Sequence, residues 1–127
     1  MLERLPELVN GDAALVRRGR FVDLTFLVEV GETSYLVHVE RGRVASVARG
    51  PFIMPRFRFA LRAPREAWET FWRQVPPPGF NDLLALLKGR LLRMEGDLHP
   101  LMANLLYFKG VMAAPRQLGP PRPEVAR

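Results

Sequence analysis

Residues 21–48 leave the chain the fewest choices. From Phe21 onward hydrophobic residues recur at every second position: Val22, Leu24, Phe26, Val28 and Val30 alternate with Asp23, Thr25 and Glu29. Successive side chains of a strand point to opposite faces, so this spacing predicts a long strand with one buried face. Gly31-Glu32-Thr33 reads as a turn, after which Tyr35, Val37 and Val39 alternate with Ser34, His38 and Glu40. Arg41-Gly42 leaves room only for a tight turn, with glycine free to take a positive φ. Val44–Ala48 supplies a third, shorter strand. Three sequential strands with such short connections make an antiparallel meander. A sheet that is apolar on one face has to be covered there, and the rest of the chain must supply the cover.

The flanking segments alternate between helix and strand signals. Leu2, Leu5, Leu8 and Val9 share one helical face within Met1–Arg18. Asn10-Gly11-Asp12 interrupts that helix, and Asp12 is placed to cap a second short one over Ala13–Arg17, closed by Gly19. After the meander, Gly50-Pro51-Phe52-Ile53-Met54-Pro55 cannot be a tight hairpin, because its prolines donate nothing to a ladder. It reads as a loop or crossover with an unusually apolar middle. Phe57, Phe59 and Leu61 then alternate with Arg56, Arg58 and Arg62, which predicts a strand with one greasy and one cationic face. Pro64 suits a first helical turn, and Trp68, Phe71, Trp72 and Val75 follow at amphipathic helical spacing until Pro76-Pro77-Pro78-Gly79. Asn81 is placed to cap the next helix, Asp82–Leu87, whose four leucines leave almost no polar face. Leu91–Glu95 reads as a fifth strand. Asp97 then caps a final long helix, in which Leu98, Leu101, Met102, Leu105, Phe108 and Met112 form one broad apolar stripe. The remainder is rich in Pro, Gly and Arg, so the expected organisation is one domain over residues 1–114 and a disordered tail over 115–127.

Strands grouped first and helices gathered afterwards predict an α+β domain. Its sheet has about five strands, mostly antiparallel: a three-strand meander, a crossover and two more strands, covered on one face by helices. With 127 residues, 48% of them hydrophobic, the chain can build a core without staples. It has no cysteine, which excludes disulfides, thiolate nucleophiles and Cys-ligated metal centres. Met1–Val9 carries Glu3, Arg4, Pro6 and Glu7 where a secretory signal would be apolar. The most apolar stretch, Leu98–Ala114, holds His99, Pro100, Asn104 and Lys109 and is too short and mixed for a membrane span. The expectation is a soluble, cytoplasmic protein. The net charge of +6 comes almost wholly from arginine, with Lys88 and Lys109 the only lysines. These arginines are spread along the chain, which favours general surface use over a nucleic-acid site.

The meander Phe21–Ala48, the strand Arg56–Leu61 with the helix after it, and above all Lys88-Gly89-Arg90-Leu91-Leu92-Arg93-Met94-Glu95-Gly96-Asp97 resemble the sterol-carrier domain family. That family has a Gly-Lys-led strand with alternating apolar residues that ends in Gly-Asp and leads into the final helix. Here the first two residues are reversed, Lys88 before Gly89, and Arg93 lies mid-strand. The resemblance spans roughly Leu2–Ala114. It implies helices and sheet that enclose an apolar tunnel for a lipid-like ligand: a fatty acyl chain, a sterol-like molecule, or an isoprenoid or quinone precursor.

The residues themselves lead to a similar place. The helices carry more apolar surface than one small sheet face needs, and Leu83–Leu87, Leu98–Met112 and Phe52–Met54 compete for the same buried space. The expected ligand-binding residues are Phe26, Val28, Val37, Phe57 and Phe59 from the sheet and Met94 from the fifth strand. From the helices they are Trp68, Trp72, Leu84, Leu87, Leu101, Met102, Leu105, Phe108 and Met112. Methionines such as Met54, Met94, Met102 and Met112 adapt to irregular ligands. Plain core and a homodimer interface on the last helix account for the same stripes, so both stay open beside the tunnel. The expected partners are a hydrophobic small molecule, a second copy or another protein at the apolar helical face, and transient contact with an anionic membrane. Arg56, Arg58 and Arg62 form the best basic patch, which suits phosphates, anionic lipid headgroups or an acidic partner as well as a plain solvated sheet face.

Catalytic signals are sparse, and the chain reads as non-catalytic, with no cofactor. His38 stands beside Glu40, with Ser34 and Ser46 within reach across the meander, and a nucleophile would need such a base. His38 and His99 lack metal-ligand spacing. Glu95 and Asp97 can share a strand face as paired carboxylates do, but Asp97 has a simpler task as a cap. No phosphate loop, dinucleotide fingerprint or hydrolase elbow occurs. Phe57 and Phe59 are expected opposite the arginines, which argues against a base-stacking surface.

Overall fold

The structure, a computed structural model, describes residues 2–118. The meander forms as its alternation dictates. Strands β1 (Asp23–Val30), β2 (Thr33–Glu40) and β3 (Arg43–Arg49) are antiparallel neighbours. Arg41 and Gly42 join β2 to β3 with φ of 51° and 82°, the two left-handed steps of a two-residue hairpin. Gly42 is required a second way, because a Cβ there would run into the Val16 carbonyl. Strand β4 (Phe59–Ala63) adds parallel to β1, and β5 (Arg93–Gly96) adds antiparallel to β4. The sheet order is β3-β2-β1-β4-β5. Since β3 and β4 both run parallel to β1, the connection over residues 50–58 must travel the length of the sheet. Its ends are pinned where Gly50 N–H donates to Ser34 O and Arg58 N–H to Thr25 O, each at 2.8 Å.

The even positions of β1 all face the helices: Leu24, Phe26, Val28 and Val30 are buried. Its odd positions face outward, and among them Leu27 is buried, set by the register between Leu36 and Ala60. Helices α1 (Leu5–Asn10) and α2 (Ala13–Arg18) open the chain, and Asp12 caps α2 by accepting from Leu15 N–H at 3.1 Å. Asn10 pairs with the free edge of β3 through both its amide atoms, donating to Val44 O at 3.0 Å and accepting from Val44 N–H at 2.8 Å. That contact protects an edge that would otherwise present bare backbone. Helix α3 (Arg65–Phe71) follows β4, α4 (Leu83–Lys88) precedes β5, and α5 (His99–Ala103) and α6 (Leu105–Ala113) follow it.

Several details differ from the sequence expectation. Phe57 lies outside β4, which begins at Phe59, and is half-buried. Helix α3 ends at Phe71, well before the prolines, and leaves Val75 53% exposed. The cap of α4 is Asp82, whose carboxylate accepts from Ala85 N–H at 2.9 Å; Asn81 lies one residue outside. The final helix is two helices broken at Asn104, whose side chain donates to Pro100 O at 3.0 Å. Asp97 still serves the start of α5, accepting from His99 N–H at 3.2 Å. Ala114–Leu118 form a 3-10 turn rather than loose tail, anchored by Arg116, which donates to the carbonyls of Phe71, Phe80 and Asn81. The rest of the expected tail, residues 119–127, lies outside the described residues. Among the described residues no helix is long and apolar enough to cross a membrane.

Candidate functional site

The fifteen expected ligand residues fall into two groups. Nine are buried and packed on one another: Phe26, Val28, Val37, Phe59, Trp68, Trp72, Leu101, Phe108 and Met112. Phe26 and Phe59 stack with centroids 5.1 Å apart, and Phe108 meets both rings edge-on at 5.4 and 5.2 Å. Trp68 and Trp72 stack at 5.3 Å. Their indole N–H groups are both used, Trp68 on Glu29 O at 2.9 Å and Trp72 on Met112 O at 2.8 Å. Tyr107 adds its ring edge-on to Phe108 and donates to Gly42 O at 2.7 Å, and burial pushes its phenol pKa up. These rings meet each other where a slot between sheet and helices was expected. Offset and edge-on aromatic contacts of this kind make a rigid centre.

The other six are not closed off. Phe57, Leu84, Met94 and Leu105 are half-buried, while Leu87 is 38% and Met102 45% exposed. Leu106, which the sequence reading passed over, is 63% exposed. Apart from Phe57, all come from α4, β5, α5 and α6, consecutive elements of the chain. Helix α4 is held at both ends. Asp82 binds Ala85 N–H and pairs with Lys109 Nζ of α6 at 3.4 Å, and the first of these does most to hold its carboxyl below the usual carboxylate range. At the far end the Leu86 carbonyl accepts from Leu91 N–H at 3.0 Å and Leu92 N–H at 3.3 Å, just before β5. At this end Gly89 keeps an ordinary φ of −77°, and Arg90 takes the left-handed step at 63°. With the Asp82–Lys109 pair tying α4 to α6, the half-open apolar side chains of α4, β5, α5 and α6 make up a seam outside the closed core.

The outer face of the sheet is polar and internally paired. Arg62 donates to Glu29 through Nη1 and to Glu95 through Nε, both at 2.7 Å, and Arg58 donates to Asp97 at 3.0 Å. The expected basic patch is therefore largely neutralised; Arg56 carries no ion pair among the described residues. The arginine hydrogen bonds are also the main cause of the lowered pKa of Glu95 and of Asp97. His38 binds Thr25 Oγ1 through Nδ1 at 2.8 Å and lies 3.4 Å from Glu40 through Nε2, so neither ring nitrogen is turned to a serine. Among the described residues no cluster of three His, Asp or Glu side chains could hold a metal ion. Three open hollows of about 340, 260 and 350 Å³ dent the surface, and Phe57 is the one expected ligand residue that lines any of these three.

No family model matches the sequence, and no curated protein matches it. Solved structures do. The crystal structure of sterol carrier protein 2 superposes with a TM-score of 0.74 at 12% identity, covering 91% of this chain and 93% of its own. The conserved hypothetical protein TT1886 from Thermus thermophilus gives 0.66 at 11% identity, over 93% of this chain and 85% of its own. The ubiquinone synthesis protein UbiJ-SCP2 gives 0.56 at 16% identity, over 91% and 87%. At these identities the likeness is one of fold: the chain has the sterol carrier protein 2 fold, the one its meander and its Lys88–Asp97 segment resembled.

Proposed function

We propose that this protein binds a hydrophobic, lipid-like small molecule without transforming it, at the seam of half-open side chains from α4, β5, α5 and α6. One observation carries the reading. In a fold shared with sterol carrier protein 2, leucine and methionine side chains of α4, α5 and α6 stay half-buried or exposed beside a core that is already filled. The ligand's apolar body becomes the neighbour that Leu84, Leu87, Met102 and Leu105 lack. Met94 and Met102 adjust to its outline. Each methylene buried contributes about 0.8 kcal/mol, so an alkyl chain of about ten carbons reaches micromolar affinity after ordering costs. Asp82 and Lys109, which tie α4 to α6, are paired with each other. Selection is then by shape and length, and fatty acyl, sterol-like and isoprenoid molecules all qualify.

The test is titration with a fluorescent fatty acid, paired with native mass spectrometry of protein purified from cells. Saturable micromolar binding and a co-purifying lipid mass are the expected results. A bare protein mass with no saturable binding would sink the carrier reading. The exposure of Leu106 favours a second reading, in which a second copy covers the α5–α6 stripe. Light scattering separates the two: a stable dimer that Leu106→Asp dissolves belongs to the second.

A further inference from the structure

Residues 50–55 do not join the buried space for which their composition qualifies them. Ile53 is 97% and Met54 89% exposed, more than any other large hydrophobic side chain among the described residues. They are consecutive residues in the middle of the β3–β4 connection, whose two ends are pinned to Ser34 O and Thr25 O. Pro51 and Pro55 stiffen the segment, so little further order is needed for it to bind. Met54 holds a φ of 49°, a left-handed step that a side chain this large rarely takes, and the chain turns there. From Arg49 to Arg58 the segment carries three arginines and no carboxylate. Arg58 is committed to Asp97, and Glu3 acts electrostatically on Arg49. Arg56 has no ion pair among the described residues.

We propose that this loop is a membrane wedge: Ile53 and Met54 enter the outer edge of an anionic lipid bilayer, and Arg49 and Arg56 bind its headgroups. The inference goes beyond ligand binding and does not depend on it. Size favours a bilayer over a protein partner. Two side chains and the half-buried Phe52 fall far short of the roughly 800 Å² that a stable protein interface covers on each side. A bilayer has no such threshold, since each inserted apolar side chain and each neighbouring cation adds to the attraction. The net charge of the whole chain, +6, has the right sign.

Co-sedimentation of the full chain with vesicles tests this, using phosphatidylcholine alone and phosphatidylcholine with about one-third phosphatidylglycerol. Binding to the anionic vesicles, weakened by salt and weak on the neutral ones, is expected. Ile53→Asp with Met54→Asp should lower the bound fraction at least tenfold, and Arg49→Gln with Arg56→Gln should lower it only on anionic vesicles. Val75→Asp, at an exposed side chain outside both the loop and the seam, should leave it unchanged. Tryptophan emission, reporting on buried Trp68 and Trp72, checks that each variant is folded. Wild-type protein that ignores both vesicles, or a folded Ile53/Met54 variant that still sediments, overturns the proposal. So does a double variant that abolishes self-association in light scattering while vesicle binding persists, since the loop is then a protein contact. Fatty-acid titration of the same variants keeps the two readings apart: vesicle binding without ligand binding removes the carrier and leaves the wedge.

Discussion

The aromatic centre and the α4/α5–α6 seam are built from similarly apolar helices, yet one is closed and the other is not. Phe108 and Met112 of α6 are fully buried, while Leu106 of the same helix is 63% exposed. What differs is the surface opposite. Phe108 faces Phe26 and Phe59 of the sheet, rigid rings that meet it at fixed angles. Several seam residues instead lie on short helices: α4 has six residues and α5 five. Helices this short do not stand alone in water and hold their place only through caps and neighbours. One region is therefore closed by its own rings, and the other keeps apolar side chains partly open to water. Apolar surplus in a sequence is closed off only where the rest of the fold supplies rings or side chains to meet it.

Truncating the stiff region should do the most damage. Phe108→Ala removes the ring shared by three aromatic contacts and should cost about 3–5 kcal/mol, read as a Tm drop of roughly 10 °C or more. A loss below about 1 kcal/mol would mean that the centre yields as the seam does, and the contrast would fail. Asp82→Ala is next. It removes the cap of α4 and its tie to Lys109, and should cost about 1–2 kcal/mol in urea unfolding. Because the loss falls on one wall of the seam, ligand affinity should fall with it while Trp68 and Trp72 emission stays native.

The sheet was legible because alternation is a local signal and registers follow from short turns: β1 and β2 lie where Val22–Val30 and Ser34–Glu40 alternate. Boundaries were less so. Asn81 and Asp82 are both good caps, and only the chain direction decides that Asp82 reaches Ala85 N–H while the Asn81 carbonyl receives Arg116. The break at Asn104 was hidden because it preserves the stripe of Leu101, Met102, Leu105 and Phe108 on either side. The arginine face was visible as cations, but its partners Glu29, Glu95 and Asp97 come from segments more than thirty residues away. For the same reason the half-open leucines could not be told from the closed ones. Spacing says which face is apolar; what lies across from it is a tertiary fact. The Ile53-Met54 pair is the clearest case, since its composition reads as core and its place is solvent.

Arg62 offers a control that belongs to neither region. It binds Glu29 and Glu95 across the outer face and is 22% exposed, so Arg62→Ala should cost about 1 kcal/mol at neutral pH. The pH dependence has a definite sign. Arg62 lowers the Glu95 pKa below that of the unfolded chain. Its stabilisation is therefore present above the ordinary carboxylate value of about 4.3 and is lost as pH falls through the folded value. Unfolding curves taken between about pH 6 and pH 3 should fall less steeply for Arg62→Ala than for wild type. An unchanged slope would show that Glu95 is not held by Arg62 in solution.

The smallest effect on stability should come from the seam itself, and it divides the two regions most sharply. Leu87→Asp with Met102→Asp places two charges on side chains that already meet water, 38% and 45% exposed. Substitutions at such positions usually change stability by no more than about 0.5 kcal/mol. If a ligand covers these side chains, the same charges must be desolvated on binding, and affinity for a fluorescent fatty acid should drop tenfold or more. Stability and affinity then respond in opposite order to Phe108→Ala, which disrupts the fold first. Should the double variant melt far below wild type, the two side chains are core after all, and the seam is only a loosely drawn edge of the aromatic centre. Should it fold and bind as wild type does, the ligand lies elsewhere, and the half-buried leucines of α4 and α6 lose their claim to it.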